Sequence, residues 1–437
     1  MFAGAAPVRK LASPDPKSGR SQDAEQLLSL IEGDAIMNIR LRWLLPVFLS
    51  AATLLGGCAA PAVQSPRPLF RDSAFARPER PVQLQQALAL SPAMQEFIDT
   101  EMATHIRSKG VRSGLMDALY TKGWLQLDYD AEQTRTAAEA FAARRGNCLS
   151  LVLMTASFAR HFGLPVRFNS VYLEEAWTRS GGVFFVTGHV NISLGRGVTP
   201  TDVLLQAPAD LLTIDFLPPQ MLKGQRSHAV EESTVLAMFA NNRAAEALTD
   251  GHLDEAYWWA RAGMESDPRW LASYNTLAIV YRRKGMTDMA EQVLRTVLAR
   301  EPENAQALSN LVLVLTDAGQ LAQARVAAAQ LALVQPVPPY AYFDRGVEAM
   351  RQGEYGSARE LFRKEVFRAA YVPEFHFWLA LANYGLGDLA GARGEIAKAL
   401  ENAATPRERD RYGAKLAWLN EQRRAGMLPV RSVSPGY

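Results

Sequence analysis

ASYNTLAIVYRRKGMTDMAEQVLRTVLAREP, running from Ala272 to Pro302, decides the fold of the C-terminal half. Its apolar residues recur three and four apart on each side of Gly285, the pattern of two amphipathic helices joined at a glycine turn. The unit repeats. Glycine returns at Gly251, Gly285, Gly319, Gly353 and Gly387, and alanine at Ala256, Ala290, Ala324, Ala358 and Ala392, each series stepping by 34 residues. Proline closes three units at Pro268, Pro302 and Pro336. Such a period predicts stacked helical hairpins, each burying its apolar face against its neighbours, with the small alanine letting the second helix approach the first.

Tyr274, Leu277, Ala278, Tyr281, Gly285, Ala290 and Leu294 stand at the signature positions of the tetratricopeptide repeat, and the region resembles that family. The resemblance implies an all-α solenoid of five repeats over 235–403, with a concave groove, lined by the first helix of each repeat, that binds a protein or peptide partner. In that register the groove positions are Asn241, Asn275, Arg282, Arg283, Ser309, Tyr340, Phe343, Phe377 and Tyr384. Packing between repeats is the other role open to the aromatics among them. Residues 404–437 hold a helical pattern, RERDRYGAKLAWLNEQRRAG, with Tyr412, Leu416 and Leu419 on one face, and then a tail. That helix is expected to cap the last apolar surface.

At the other end the chain reads MNIRLRWLLPVFLSAATLLGGCAAP from Met37. Arg40 and Arg42 precede an apolar run, Leu44 to Leu55, that stops at Gly56-Gly57-Cys58. A basic start, a short apolar run and a small-residue end are the parts of a secretory signal. The run is shorter than the ~20 residues that span a bilayer. The cysteine after it resembles a bacterial lipoprotein cleavage site, which implies a signal over 37–57 and a lipid on Cys58. Residues 1–36 would put a polar segment ahead of the signal, so the true start is expected at Met37. With Ala59 rather than aspartate after Cys58, the resemblance places the anchor on the periplasmic face of the outer membrane. Five prolines between Pro61 and Pro81 make 58–84 an expected extended tether.

The remaining span, 85–234, contains the second of only two cysteines, in RRGNCLSLVLM from Arg144 to Met154. If Cys58 carries lipid, Cys148 has no partner within the chain, so it is either an inert core residue or a free thiol with a task. Ser91-Pro92 reads as an N-cap and first-turn pair, Ala131 to Arg145 as a helix, and Cys148 as the opening of an apolar helix that stops at Gly163-Leu164-Pro165. Strand character follows at Val166 to Leu173, Val183 to Val186, His189 to Leu194 and Leu211 to Ile214. A cysteine at a helix N-terminus lies against unpaired N–H groups and the positive end of the dipole, which favour a thiolate and can bind an oxyanion. Of six histidines, His189 in TGHVNI lies downstream in a strand, and Asp215 in TIDF follows in another.

RRGNC, FGLPVRF, TGHVNI and TIDF, in that order, resemble the core of the transglutaminase-like superfamily, an α+β, papain-like fold within the α/β class. The resemblance implies a Cys148–His189–Asp215 triad in which the thiol attacks an amide or peptide carbonyl, with a further oxyanion donor at Tyr129 or Gln126. Val190-Asn191-Ile192 departs from the aromatic and acidic residues usual after that histidine, which leaves the substrate class open.

Composition limits the alternatives. With 47 Lys+Arg against 45 Asp+Glu, the net charge of +2 offers no basic footprint for nucleic acid. Neither a Cys/His cluster for metal nor a glycine-rich phosphate loop is present, so no cofactor is expected. The expected function is a lipid-anchored envelope cysteine hydrolase or acyltransferase working through a thioester, with repeats that bind a protein or peptide. The alternatives are an inactive repeat-based scaffold and an amine-dependent cross-linking transglutaminase.

Overall fold

The computed structural model describes residues 65–120, 128–131, 133–172, 177–180, 183–186, 188–195, 210–216, 226–403 and 405–424. The chain divides into Met1–Val63 and Gln64–Tyr437, and every described residue belongs to the second unit. The expected signal, Cys58 and Gln126 lie outside the described residues.

Three helices open the sheet-bearing part: α1 (Pro92–Phe97), α2 (Ala103–Lys109) and α3 (Val111–Tyr120). Ser91 caps α1 by accepting from the Met94 N–H, and Pro92 sits in the first turn, where its missing donor is not needed. Next come β1 (Asp128–Tyr129), α4 (Ala137–Ala143) and β2 (Arg145–Gly146). α4 is shorter than the expected helix because Thr136 and Glu139 form a reciprocal capping box that fixes its start, and Arg144 ends it in the left-handed region. α5 (Cys148–His161) is buried continuously from Cys148 to Ala159. Its all-round apolar character fits a helix enclosed on every side.

Strands β3 (Val166–Tyr172), β4 (Trp177–Ser180), β5 (Val183–Val186), β6 (His189–Gly195), β7 (Leu211–Ile214) and β8 (Arg226–Val230) follow. Four of them form an antiparallel sheet in the order β7-β6-β3-β8, while β4 and β5 form a separate hairpin. β6 lies inside the sheet with every residue buried. Its side chains alternate, so Val190, Ile192 and Leu194 join the core with α5, while His189, Asn191 and Ser193 share the other face.

Five helix pairs then stack: α6 (Glu232–Thr249) with α7 (Leu253–Ser266), α8 (Leu271–Arg283) with α9 (Thr287–Arg300), and α10 (Ala305–Asp317) with α11 (Leu321–Val334). α12 (Ala341–Arg351) with α13 (Tyr355–Arg368) and α14 (Pro373–Gly385) with α15 (Leu389–Glu401) complete them. The turn glycines all have positive φ, from 73° to 83°, a conformation that favours glycine. The repeated alanines are buried at the helix crossings. α16 (Pro406–Arg424) buries Tyr412 and Leu419 against Phe377 and Ile396, which closes the last repeat.

Two boundaries differ from the sequence reading. The expected boundary between 234 and 235 falls within α6, which places Val235, Leu236, Met238 and Phe239 in the core of the sheet-bearing part and Ala244, Ala247 and Leu248 in that of the repeats. The expected tether is also ordered over its described part. Leu69 and Phe75 are buried, Phe75 stacks on Tyr257 with ring centroids 3.9 Å apart, and Tyr281 donates to the Leu69 carbonyl at 2.7 Å. Proline content suggested an extended tether, but the described part turns through short 3-10 helices at Arg67–Leu69 and Asp72–Ala74 and lies on the surface that Tyr257 and Tyr281 provide. Among the described residues no helix is long and apolar enough to cross a membrane.

Replacing Phe75 by Ala is expected to lower stability by about 3–5 kcal/mol, the cost of removing a buried aromatic ring. Urea unfolding of the variant measures this, and a loss below about 1 kcal/mol would mean that the strap does not hold its place in solution.

Candidate active site

Cys148 begins α5 because the residues before it make a rigid start. Asn147 is the N-cap: its Oδ1 accepts from the Ser150 N–H at 2.9 Å and from the Ser150 hydroxyl at 2.8 Å. A Cβ on Gly146 would meet the Ser150 Cβ at 2.7 Å, so only glycine fits there. β1 and β2 pair in parallel, setting Tyr129 beside Gly146. Behind them Asp130 is buried with Arg135 at 2.9 Å, a charge pair that anchors the strand end.

The structure brings together the three residues singled out by their order in the sequence. His189, at the first position of β6 and 2% exposed, meets Asp215 through Nε2 at 2.7 Å. Its other polar neighbour is Cys148, whose hydrogen bonding and charge also favour the protonated ring. Asp215 stands just beyond β7, and its other oxygen accepts from Asn191 Nδ2 at 2.9 Å. Burial opposes a charge on His189, yet its hydrogen bonds to Asp215 and Cys148, with their negative charge, outweigh burial and push its pKa up to about 9. Tyr129 receives a hydrogen bond from the Cys148 backbone N–H. Burial, followed by the neighbouring Cys148 charge, raises the phenol's pKa well above its ordinary value, so it remains a proton donor at neutral pH.

Cys148 opens onto a cleft of about 720 Å³. Leu149, Val190 and Met238 give it apolar walls, while Asn241, Asn242, Thr276 and Gln306 line it from α6, α8 and α10. The cleft therefore runs along the first helices of the first three repeats. β5 also lies against α10. The repeats support the cysteine's helix directly: the Thr134 N–H donates to Glu246 at 2.7 Å, its carbonyl accepts from Arg243 at 3.1 Å, and its hydroxyl accepts from Asn147 at 2.8 Å. Burial raises the Glu246 pKa against the pull of these partners. From the far end of the solenoid, Arg409 on α16 donates to the Tyr129 carbonyl at 3.2 Å.

The other expected groove positions divide. Asn241 lines the cleft and accepts from Thr276 at 2.7 Å, Asn275 is buried beside it, and Ser309 is half-buried on α10. Arg282 pairs with Asp317 at 2.6 Å and Arg283 donates to the Leu248 carbonyl, so both are engaged within the solenoid. Tyr340 and Phe343 are buried packing residues, Phe343 meeting Tyr340, Phe362, Phe375 and Trp378, while Phe377 packs on Tyr412 and also lines a pocket with Tyr384. Tyr384 is 38% exposed beside Trp418, at a smaller pocket of about 250 Å³. The sequence reading missed Thr134, Arg243 and Glu246, whose contacts span more than 100 residues and leave no local pattern. It also missed Asn169, and it noted Asn191 only as a departure, although the alternation His189, Asn191, Ser193 within an apolar strand is a local signal.

A tetratricopeptide-repeat family model matches residues 275–341 and 343–408. No curated protein matches the chain. Among solved structures, a thermophilic tetratricopeptide protein of Thermus thermophilus is 21% identical over 41% of this chain and 99% of its own, with a TM-score of 0.26. Pseudomonas aeruginosa pilF is 19% identical over 43% and 86%, with a TM-score of 0.26. MamA of Desulfovibrio magneticus is 18% identical over 35% and 85%, with a TM-score of 0.22. The C-terminal region thus carries tetratricopeptide repeats, a type of array that generally binds proteins, and the matched residues do not include Cys148, His189 or Asp215.

His189 gains its proton more readily in the folded chain than in the unfolded one. Its contribution to stability is full below pH 6.5 and is lost as pH rises through about 9. Asp215→Asn removes the main partner of the imidazolium, so the His189 pKa is expected to fall to 6.5 or below. Histidine NMR titration checks this, and the slope of stability between those two pH values should flatten in the same variant.

Proposed function

We propose that the protein is a thiol hydrolase or acyltransferase that attacks an amide or peptide carbonyl, with the tetratricopeptide array holding a peptide or protein substrate in front of Cys148. The observation that carries this reading is the Asp215–His189–Cys148 relay opening into a cleft whose other wall is formed by the first helices of the first three repeats. In the reaction, the Cys148 sulfur adds to the carbonyl carbon, and the thiol proton resides on His189. The oxyanion accepts from the Tyr129 hydroxyl, whose oxygen is held by the Cys148 N–H. Collapse breaks the C–N bond, His189 gives its proton to the departing amine, and a thioester remains. Water then attacks that thioester, His189 takes the water's proton, and the acid is released with Cys148 restored. An amine in place of water gives transamidation by the same groups, which is the cross-linking alternative.

The transglutaminase-like fold is part of this proposal, as is a lipid anchor at Cys58 on the periplasmic face of the outer membrane. The second reading, a binding scaffold without turnover, draws on the likeness to known families, which falls in the repeats alone.

Iodoacetamide labelling of Cys148 distinguishes enzyme from scaffold. The enzyme reading expects rapid labelling at neutral pH that slows at least tenfold in His189→Ala, since a positioned base contributes about 10²–10⁴-fold. Equal labelling of the two proteins would leave the scaffold. Hydrolysis and transamidation separate by mass spectrometry of products formed with and without an added primary amine. Membrane fractionation of a Cys58→Ser variant tests the anchor, and attachment that persists without the thiol would remove it.

A further inference from the structure

The polar face of the sheet carries a directed chain of hydrogen bonds that ends on the Asp215 carboxylate. A carboxylate only accepts, so the side chain of Asn191 that meets Asp215 Oδ2 at 2.9 Å must present its NH₂. Its own oxygen then has to accept, and Asn169 Nδ2 donates to Asn191 Oδ1 at 2.9 Å. The Asn169 amide also donates to Ser193 Oγ at 3.0 Å, and that hydroxyl meets Thr213 Oγ1 at 2.8 Å. Strand register makes this possible, because Asn169 lies opposite Asn191 and Ser193 opposite Thr213. Asn169, Asn191 and Ser193 are all buried, at 8%, 7% and 3% exposure. Buried amides left without partners are costly, so each orientation in the chain enforces the next.

Asp215 needs such a restraint. It follows the last paired residue of β7, so the ladder does not extend to it, and a carboxylate rotates readily about its last bond. With Oδ2 held by Asn191, Oδ1 is left facing His189 Nε2.

We propose that Asn191, itself oriented by Asn169, is a positioning residue that sets which way the Asp215 carboxylate faces His189. The inference deepens the enzyme reading and rests on it for its importance, although the geometry stands without it. It also accounts for the asparagine two residues after the histidine: this chain uses that position to reach the carboxylate.

Among the described residues, the titratable groups around this cluster include Cys148, Tyr129, beyond Tyr129 Asp130, and Arg167, which lies opposite Ser193 on the same face of the sheet. They are unaltered in an Asn191→Ala variant of the full chain, whose His189 pKa is read by NMR of selectively labelled histidine. The direction decides. If Asn191 positions the carboxylate, its loss lets Asp215 turn away, and the His189 pKa falls from about 9 toward 6.5. If Asn191 merely shares the carboxylate's charge, its loss strengthens Asp215 as an acceptor and the pKa stays or rises, which overturns the proposal. Asn169→Ala acts one bond further away and should lower the value in the same direction but less; it serves as the deciding variant if Asn191→Ala does not fold. Failure of both to fold makes the chain of amides structural and rejects the positioning role. Cys148 labelling, run alongside, keeps the two claims apart. If labelling of the wild-type protein is indifferent to His189→Ala, the enzyme reading falls, while the His189 titration still decides the role of Asn191.

Discussion

Thr134 is held at all three of its polar groups: its N–H by Glu246, its carbonyl by Arg243 and its hydroxyl by Asn147. Two of those partners belong to the first helix of the repeats, and the third is the cap of the helix that Cys148 begins. Thr134 itself is buried, so losing a partner would leave one of its own polar groups unpaired. Much of the architecture follows from it. The start of α5 is located relative to α6, and α6 relative to the later repeats through the stacking of each on the next.

That arrangement makes α6 a member of two cores. Its first half is packed with α5 and the sheet, and its second half with α7 and α8. The solenoid is therefore not an appendage on a linker. It is the wall of the cleft at Cys148, and Arg409 returns from its far end to the Tyr129 carbonyl. The strap from Leu69 to Phe75 adds a third tie by stacking on Tyr257 and receiving a hydrogen bond from Tyr281. These ties hold the repeats that line the cleft in place against the helix that Cys148 begins.

The sheet contributes by having two unlike faces. Val190, Ile192 and Leu194 fasten β6 to the core, and this leaves His189, Asn191 and Ser193 on the side where Asp215 and Asn169 stand. A one-residue slip in register would exchange the two faces and bury the histidine among the helices. The apolar half of the strand thus determines the polar half's chemistry.

The sequence by itself determined the periodic part of the molecule: five helix pairs, their turn glycines, the alanines at the crossings and the capping helix with Tyr412 and Leu419. Each of these depends on residues a fixed short distance apart, so local spacing carries the information. It also indicated that Cys148 opens a helix and that His189 lies in a strand, because Gly146-Asn147 and the alternation after Gly188 are local signals. Only the tertiary structure decided that Phe343 and Tyr340 are packing residues, that the proline-rich strap is bound, and that Glu246, Arg243 and Asn191 support the candidate site. Those outcomes depend on pairs as far apart as Thr134 and Glu246 or Leu69 and Tyr281. A chain's local pattern records which faces must be buried, whereas packing density and hydrogen-bond satisfaction across distant segments select what buries them.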